Sequence, residues 1–191
     1  MVRDTRNSQE VWLNHKSVFV AVALFACTAN VGCVSRAIRE GAGAVRGASG
    51  KVVELHTPSS LANYRGLTVE SITVAKGLRV PSDIVTLVRQ SYADAAEDLV
   101  LAPGGSPALS VSGEIIHYET GGTVSRAIGP LQEIIVRSQL IDAGSKQFLG
   151  EANLIGRSKA LTSGGAHNLA EGAGKALAKW LRDSGVKKDD G

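Results

Sequence analysis

Histidine, serine and glycine-rich segments are where this chain could carry catalysis or bind a metal or nucleotide. The histidines are widely spread, and no pair has the spacing that brings two imidazoles to one metal ion on a helix; they are His15, His56, His117 and His167. No Gly-x-Ser-x-Gly segment indicates a serine nucleophile. The sequence therefore predicts no metal site, no catalytic residues and no enzymatic activity.

Two glycine segments only partly match nucleotide-binding loops. Residues 41–43 (Gly-Ala-Gly) follow no predicted strand, and the third glycine of a dinucleotide loop is misplaced. Residues 172–175 (Gly-Ala-Gly-Lys) lack the earlier glycine and the following hydroxyl of a phosphate loop, since Leu169 and Ala176 stand there. We therefore predict no bound cofactor.

The cysteines Cys27 and Cys33 both lie in or just after an apolar segment near the N-terminus. A polar, basic flank over residues 1–16 precedes an apolar stretch over residues 18–26. A basic flank, a short apolar stretch and a small residue before the cut are typical of a secretory signal. We therefore predict a signal peptide over residues 1–32. An uncleaved membrane-spanning helix stays open as the alternative, because no charge interrupts the run.

The segment around Cys33 resembles a bacterial lipobox, in which a cysteine after a small residue is acylated and becomes the new N-terminus. Residues 30–33 read Asn-Val-Gly-Cys, with Asn30 where leucine is usual, and residues 24–27 (Leu-Phe-Ala-Cys) are a rival that would acylate Cys27. Each buried methylene of such a lipid adds about 0.8 kcal/mol of membrane affinity. No aspartate stands at the position of Ser35, two residues after Cys33, which favours the outer membrane. We expect a lipid-anchored protein that faces the periplasm.

Composition limits the rest of the chain to one small domain. The chain has 191 residues, 43% of them hydrophobic and 4% aromatic, and a formal net charge of +3. No Lys/Arg cluster with interleaved aromatics is present, so we predict no nucleic-acid partner. We predict a tether over residues 33–51, rich in alanine, glycine and arginine, a folded domain over residues 52–184 and a disordered tail over residues 185–191.

Hydrophobic periodicity predicts four strands and two helices in the order β-α-β-β-β-α. Strands are indicated over residues 67–74, 109–115, 134–141 and 148–155, the last two as an antiparallel hairpin. A helix opens at residues 81–83, with Ser82 as its cap, and ends at residues 103–105; its apolar face carries Ile84, Leu87, Val88, Tyr92, Ala95 and Leu99. We predict an α+β fold with a mixed or antiparallel sheet and both helices on one face.

A second helix is predicted over residues 166–184. Its apolar stripe is Leu169, Ala173, Ala176, Leu177, Trp180 and Leu181. Gly172 and Gly174 lower helix propensity, which predicts close packing against a neighbouring element.

Polar residues near the end of the second predicted strand are candidates for recognition. Glu114 lies on that strand, and residues 121–130 are predicted to form a loop after it. The candidate interaction residues are Tyr118, Glu119, Gly121, Gly122 and Arg126. Charges at a strand end are also commonly just solvated, so this alternative stays open.

Several of these segments together resemble domain of unknown function 4410, which is found in exported bacterial lipoproteins. The resemblance rests on residues 109–118 (Leu-Ser-Val-Ser-Gly-Glu-Ile-Ile-His-Tyr), the glycine pair with Arg126, residues 134–142 and residues 170–178 (Ala-Glu-Gly-Ala-Gly-Lys-Ala-Leu-Ala). It implies a binding or assembly role in the envelope and carries over no catalytic residue.

The sequence favours a non-enzymatic envelope lipoprotein that binds another envelope component through a sheet edge or the loop at residues 121–130. One alternative is a periplasmic small-ligand carrier or hydrolase with a pocket between helix and sheet. Another is a self-assembling structural subunit, that is, a homo-oligomer formed through exposed strand edges.

Overall fold

The fold is a single sheet with both helices on one face. The structure, a computed structural model, describes residues 47–99, 101–119, 132–158 and 165–187. In this part the elements are β1 (Ala48–His56), β2 (Gly66–Val74), α1 (Ile84–Glu97), β3 (Ala108–Glu119), β4 (Gln132–Asp142), β5 (Phe148–Ser158) and α2 (Gly165–Asp183). The predicted α+β class is confirmed, and the sheet has five strands rather than four.

Strand order across the sheet is β1-β5-β4-β3-β2, so β1 and β2 form opposite edges although they follow one another in sequence. The pairs β1–β5, β5–β4 and β4–β3 are antiparallel, and β2 is parallel to β3 with α1 as the crossover. The connection between the two edge strands passes the end of α2. There the Leu61 amide donates to the Ser184 carbonyl over 2.8 Å, and the Leu61 side chain is buried.

The additional strand, β1, begins at Ala48, inside the segment for which the sequence predicts a tether. Ala48 and Gly50 are small, and every residue of β1 is exposed or half-buried, so the strand has a weak local hydrophobic signal. Its pairing with β5, far later in the chain, supplies the hydrogen bonds that sequence periodicity does not show. At the other end Val186 is buried, inside the predicted tail, and its amide donates to the Leu181 carbonyl over 3.0 Å.

Helix α1 is shorter than its sequence pattern predicts. Asp83, not Ser82, occupies the N-cap position, and its side chain makes no capping hydrogen bond. The helix ends at Glu97, before the predicted stop at residues 103–105. The predicted face is otherwise correct, because Leu87 is half-buried and the buried members are Ile84, Val88, Tyr92, Ala95 and Leu99.

Helix α2 contacts its neighbours at backbone distance, as its glycines predict. Its predicted apolar stripe is fully buried. A Cβ added at Gly172 would lie 2.6 Å from the Ser49 carbonyl oxygen, and one at Gly174 would lie 2.5 Å from that of Ser91. Because any side chain there would overlap backbone atoms, glycine permits the close approach of α2 to β1 and to α1.

Large side chains join α1 to the centre of the sheet. Tyr92 is fully buried, and its hydroxyl shares a hydrogen bond with the Ser138 hydroxyl of β4, 2.8 Å away. Burial raises the pKa of Tyr92, and the Ser138 hydrogen bond acts in the opposite direction. Each hydroxyl of the pair thereby has a hydrogen-bond partner in the interior.

Candidate binding surface

The sheet face opposite the helices, here called the open face, is lined by polar side chains. Along β4, Ile134, Val136 and Leu140 are buried, and the alternate residues Arg137 and Gln139 are exposed. This alternation is what a sheet with one covered and one solvated face requires. The part of the open face around Arg137 and Gln139 is therefore polar, whereas Ile135 and its β5 partner Ile155 form an apolar pair on the same face.

Strand register places residues from five strands in one row across the open face. Thr73 of β2 lies opposite Glu114 of β3, which lies opposite Arg137 of β4. The row continues through Asn153 of β5 to Val53 of β1. Because directly opposed residues share a face, side chains far apart in sequence become neighbours.

A depression of about 270 Å³ lies on the β2, β3 and β4 part of the open face; its lining residues are Ser71, Thr73, Ser112, Gly113, Glu114, Arg137 and Gln139. Hydroxyl, amide, carboxylate and guanidinium groups meet in this depression, so it offers both hydrogen-bond donors and acceptors. It could hold polar groups of a partner.

Charges near the depression differ in whether they are paired. Arg157 donates through Nε to Glu133 Oε2 over 2.6 Å, and Lys146 Nζ lies 3.7 Å from Glu70 Oε1. Among the described residues, the side chain of Arg137 makes no ion pair within 4.0 Å. This exposed guanidinium is therefore available to an external carboxylate or carbonyl group.

The outer edge of β1, here called the β1 edge, exposes apolar side chains. Val53 is 39% exposed and Leu55 is 45% exposed, and nearby Phe148 at the start of β5 is 45% exposed. The rings of Phe148 and His56 meet edge to face with centroids 5.7 Å apart. Exposed apolar residues along an unpaired strand are typical of association surfaces.

The opposite edge, on β2, is covered. Arg89 of α1 donates through Nη1 to the Val69 carbonyl over 3.2 Å and through Nη2 to the Glu70 carbonyl over 3.5 Å. The pairing with β3 is also irregular between Val69 and Ser71. Both features hinder the addition of another strand at this edge.

The predicted interaction residues do not form one cluster in the part that is described. Tyr118 packs partly against the core, and burial, then the charge of Asp83, raises the pKa of its hydroxyl. Glu119 is exposed, and its Oε2 lies 3.8 Å from Nε2 of His117. Of the other predicted residues, Gly121, Gly122 and Arg126 lie outside the described residues, as do Cys27 and Cys33.

Sequence reasoning found Glu114 but missed most of the depression. Arg137 and Gln139 alternate with buried residues of β4, which was a usable signal that they face solvent. Ser71 and Thr73 could be placed beside them only once the parallel pairing of β2 with β3 was known.

The space between helices and sheet, where a ligand carrier would need its pocket, is occupied by core side chains. Fully buried residues there include Tyr92, Trp180, Ile84, Leu109 and Leu154. The depression lies on the other side of the sheet.

The described ranges contain neither a metal-binding cluster nor a membrane-spanning helix. No group of three or more His, Cys, Asp or Glu side chains there could hold a metal ion. Among the same residues, neither helix is long and apolar enough to cross a bilayer.

Known proteins offer a distant likeness. No protein-family model and no curated protein matches the chain. A solved point variant of the PelC dodecamer from Paraburkholderia phytofirmans is 16% identical, with a TM-score of 0.49, covering 71% of this chain and 96% of that one. A second PelC dodecamer from the same organism is 15% identical, with a TM-score of 0.46, covering 68% and 97%. At this identity and TM-score the likeness carries no functional implication for this chain.

Proposed function

We propose that this chain is a non-enzymatic lipoprotein of the bacterial cell envelope, anchored through acyl chains on Cys33, whose domain binds another envelope component. The observation that carries the binding role is the open face, where Arg137 is exposed beside a polar depression and has no ionic partner among the described residues. The anchor rests on the lipobox-like residues 30–33 and the signal-like segment before them. The resemblance to domain of unknown function 4410 stays a prediction that supports the same role.

The open face suits a protein partner better than a small ligand. A small-molecule site generally encloses most of its ligand in an apolar cleft, whereas this depression is polar and its charged members are exposed. Residues 121–130 connect β3 to β4, the strands that carry Glu114 and Arg137. The predicted recognition loop therefore connects two of the three strands that line the depression.

The anchor is tested by intact mass of the protein extracted from membranes. We expect a mass that corresponds to cleavage before Cys33 plus acyl groups, and we expect the Cys33→Ala variant to lose the acyl mass. Cys27→Ala is the matched control, because it removes the rival cysteine and should leave the acylated product unchanged. An uncut chain without acyl groups would overturn the anchor.

The binding role is tested by photo-crosslinking in intact cells, with the crosslinker at Gln139. We expect a discrete crosslinked product that is lost in the Arg137→Glu background, since the reversed charge repels a carboxylate that bound the guanidinium. Arg182→Glu is the control, because this exposed arginine is on α2, away from the open face. If Arg137→Glu and Arg182→Glu give the same product as the unchanged protein, the open face is not the binding surface.

A further inference from the structure

The depression on the open face is lined by two opposite charges that do not pair with each other. Glu114 of β3 and Arg137 of β4 are directly opposed in the strand register. Both side chains are exposed. Among the described residues, neither makes an ion pair within 4.0 Å, with the other or with any third group. The depression therefore holds one free anion and one free cation side by side.

A similar pair farther along the same face is closed. Glu133 of β4 and Arg157 of β5 are also directly opposed, and there Arg157 Nε donates to Glu133 Oε2 over 2.6 Å. Directly opposed residues have Cβ atoms about 5 Å apart, which is close enough for such side chains to pair. Strand register therefore does not by itself keep Glu114 from Arg137, and both charges are available to an external group.

The other side chains that line the depression carry no charge. They are Ser71 and Thr73 of β2, Ser112 of β3 and Gln139 of β4. Hydroxyl and amide groups both donate and accept hydrogen bonds, so they can pair with the peptide N–H and C=O groups of a partner. The depression thus combines neutral groups that suit a peptide backbone with two charges of opposite sign.

We propose that the partner segment bound at the open face presents a basic and an acidic side chain side by side, the basic one to Glu114 and the acidic one to Arg137. This inference rests on the proposed function and names the chemistry of its partner. Two complementary charges also fix the direction in which the segment lies, because turning it around would bring like charges together.

The two charges distinguish a protein segment from a uniformly charged partner. An anionic lipid surface or an acidic polymer would attract Arg137, but its charges would also lie against Glu114, and like charges at an interface are costly. A polycation would meet Arg137 in the same way. A protein segment can place opposite charges on one face, at alternate residues of an extended chain or one turn apart on a helix.

Leaving the two charges unpaired costs the free domain little stability. Ion pairs between exposed side chains contribute little, since water solvates both groups well. When a partner covers the depression, water is excluded, and each charge then needs an opposite charge close to it. Glu114 and Arg137 are therefore better placed to bind a partner than to stabilise the fold.

The test compares charge reversals in the full-length protein in intact cells, with the photo-crosslinker at Gln139 and the yield of crosslinked product measured against the unreacted chain. We expect Glu114→Lys to lower this yield at least about tenfold, as Arg137→Glu does. Glu114→Gln, which keeps the shape of the side chain, should lower it by a smaller factor. Glu97→Lys is the matched control, because Glu97 is exposed on α1, on the covered side of the sheet.

The outcomes separate this inference from the proposed function. If Arg137→Glu loses the product and Glu114→Lys keeps or increases it, the partner supplies an acidic group alone. The inference is then overturned while the binding role stands. If neither reversal changes the yield, the binding role at the open face fails, and the inference fails with it.

A rescue experiment excludes misfolding as the cause of a lost product. Mass spectrometry of the product from the unchanged protein identifies the crosslinked peptide of the partner. Replacing the basic residue of that peptide by glutamate should restore the product with Glu114→Lys and should not restore it with Arg137→Glu. A crosslinked peptide without a basic residue, or a replacement that restores nothing, would overturn the proposal.

Discussion

Strands β1 and β2 are the two edges of one sheet, and the helices hold them in different ways. α2 lies on β1 and β5 with its backbone nearly touching theirs: a Cβ added at Gly50 would lie 2.5 Å from the Ala176 amide nitrogen, and one at Gly156 would lie 2.1 Å from the Leu169 carbonyl oxygen. α1 lies above β2 with large side chains between them, and Ile72, Val88 and Tyr92 are buried there.

The two edges also differ in what covers them. Close backbone contact holds β1, Val52 packs partly against the core, and Val53 and Leu55 are exposed at an edge that pairs with no further strand among the described residues. β2 instead directs Leu67 and Ile72 into the core, and Arg89 covers its edge carbonyls. The β1 edge, which α2 holds through glycine contacts, thus offers a surface for association. The β2 edge, which α1 holds through side chains, does not.

The largest loss of stability is expected when a glycine contact between α2 and the sheet is disrupted. Gly156→Ala would press a methyl group into the backbone of α2, and backbone cannot shift as a side chain can. We expect a loss of about 3 kcal/mol in the free energy of unfolding, measured in urea. Gly113→Ala is the matched control, because its methyl would meet side chains, Val136 Cγ1 at 2.8 Å and Ile72 Cδ1 at 3.1 Å. Equal losses of unfolding free energy in the two variants would mean that α2 can move away from the sheet. That result would contradict the difference between glycine contacts and side-chain contacts.

The stability of the packing between α1 and the sheet should depend on the buried hydrogen bond between Tyr92 and Ser138. Tyr92→Phe leaves the Ser138 hydroxyl buried without a partner, and we expect a loss of about 1–2 kcal/mol in unfolding free energy. Adding Ser138→Ala should recover part of this loss, since the unsatisfied hydroxyl is then removed. Wild-type stability in Tyr92→Phe alone would show that the contact is not structurally important.

A smaller effect is expected when the β2 edge is uncovered. Arg89→Ala removes donors to the Val69 and Glu70 carbonyls, and because the site is exposed we expect a loss of about 0.5 kcal/mol in thermal or urea unfolding. Sedimentation should also show weak association that Val53→Arg does not suppress. Arg79→Ala, an exposed arginine outside the sheet, is the control. If Arg89→Ala creates no association, the bulge alone protects this edge.

The last effect is lost in acid and concerns the segment that links β1 to β2. Tyr64, in the connection from β1 to β2, donates its hydroxyl to Asp142 Oδ2 over 2.7 Å, at the turn between β4 and β5. Hydrogen bonds from the Ser145 amide, the Tyr64 hydroxyl and the Ser145 hydroxyl lower the pKa of Asp142 to about 2. Burial, then the hydrogen bond to Asp142, raises the pKa of Tyr64 to about 12.

Because the pKa of Asp142 is lower in the folded state, its ionised form stabilises that state fully above the ordinary value of 3.8, and this stabilisation is lost as the pH falls toward 2. The stability advantage of the wild type over Asp142→Asn should therefore be constant near neutrality and shrink in that acid range. Unfolding at several pH values measures it. An advantage that does not change with pH would contradict the role of the ionised carboxylate.

Local patterns were sufficient for most elements of the fold. The alternation in β3 and the apolar stripe of α2 each report one element and its buried face, and both predictions are confirmed. β1 was missed over its whole length, Ala48–His56, because it lacks a buried apolar alternation and begins inside the predicted tether; the absence of a side chain at Gly50 is what lets α2 approach. Sequence analysis did not bring together the residues that line the depression, because they come from three different strands.

The sequence by itself determined two helices, four of the five strands and the side of each that faces the core, because these depend on periodicity within a few residues, and a short connection was enough to predict the β4–β5 hairpin. Only the tertiary structure decided the other strand neighbours, since backbone hydrogen bonds between strands carry little sequence information. That choice placed Arg137 beside Glu114 and left β1 at an edge with Val53 and Leu55 exposed. The candidate surfaces of this protein depend on strand order, and strand order is set by the packing of the whole domain.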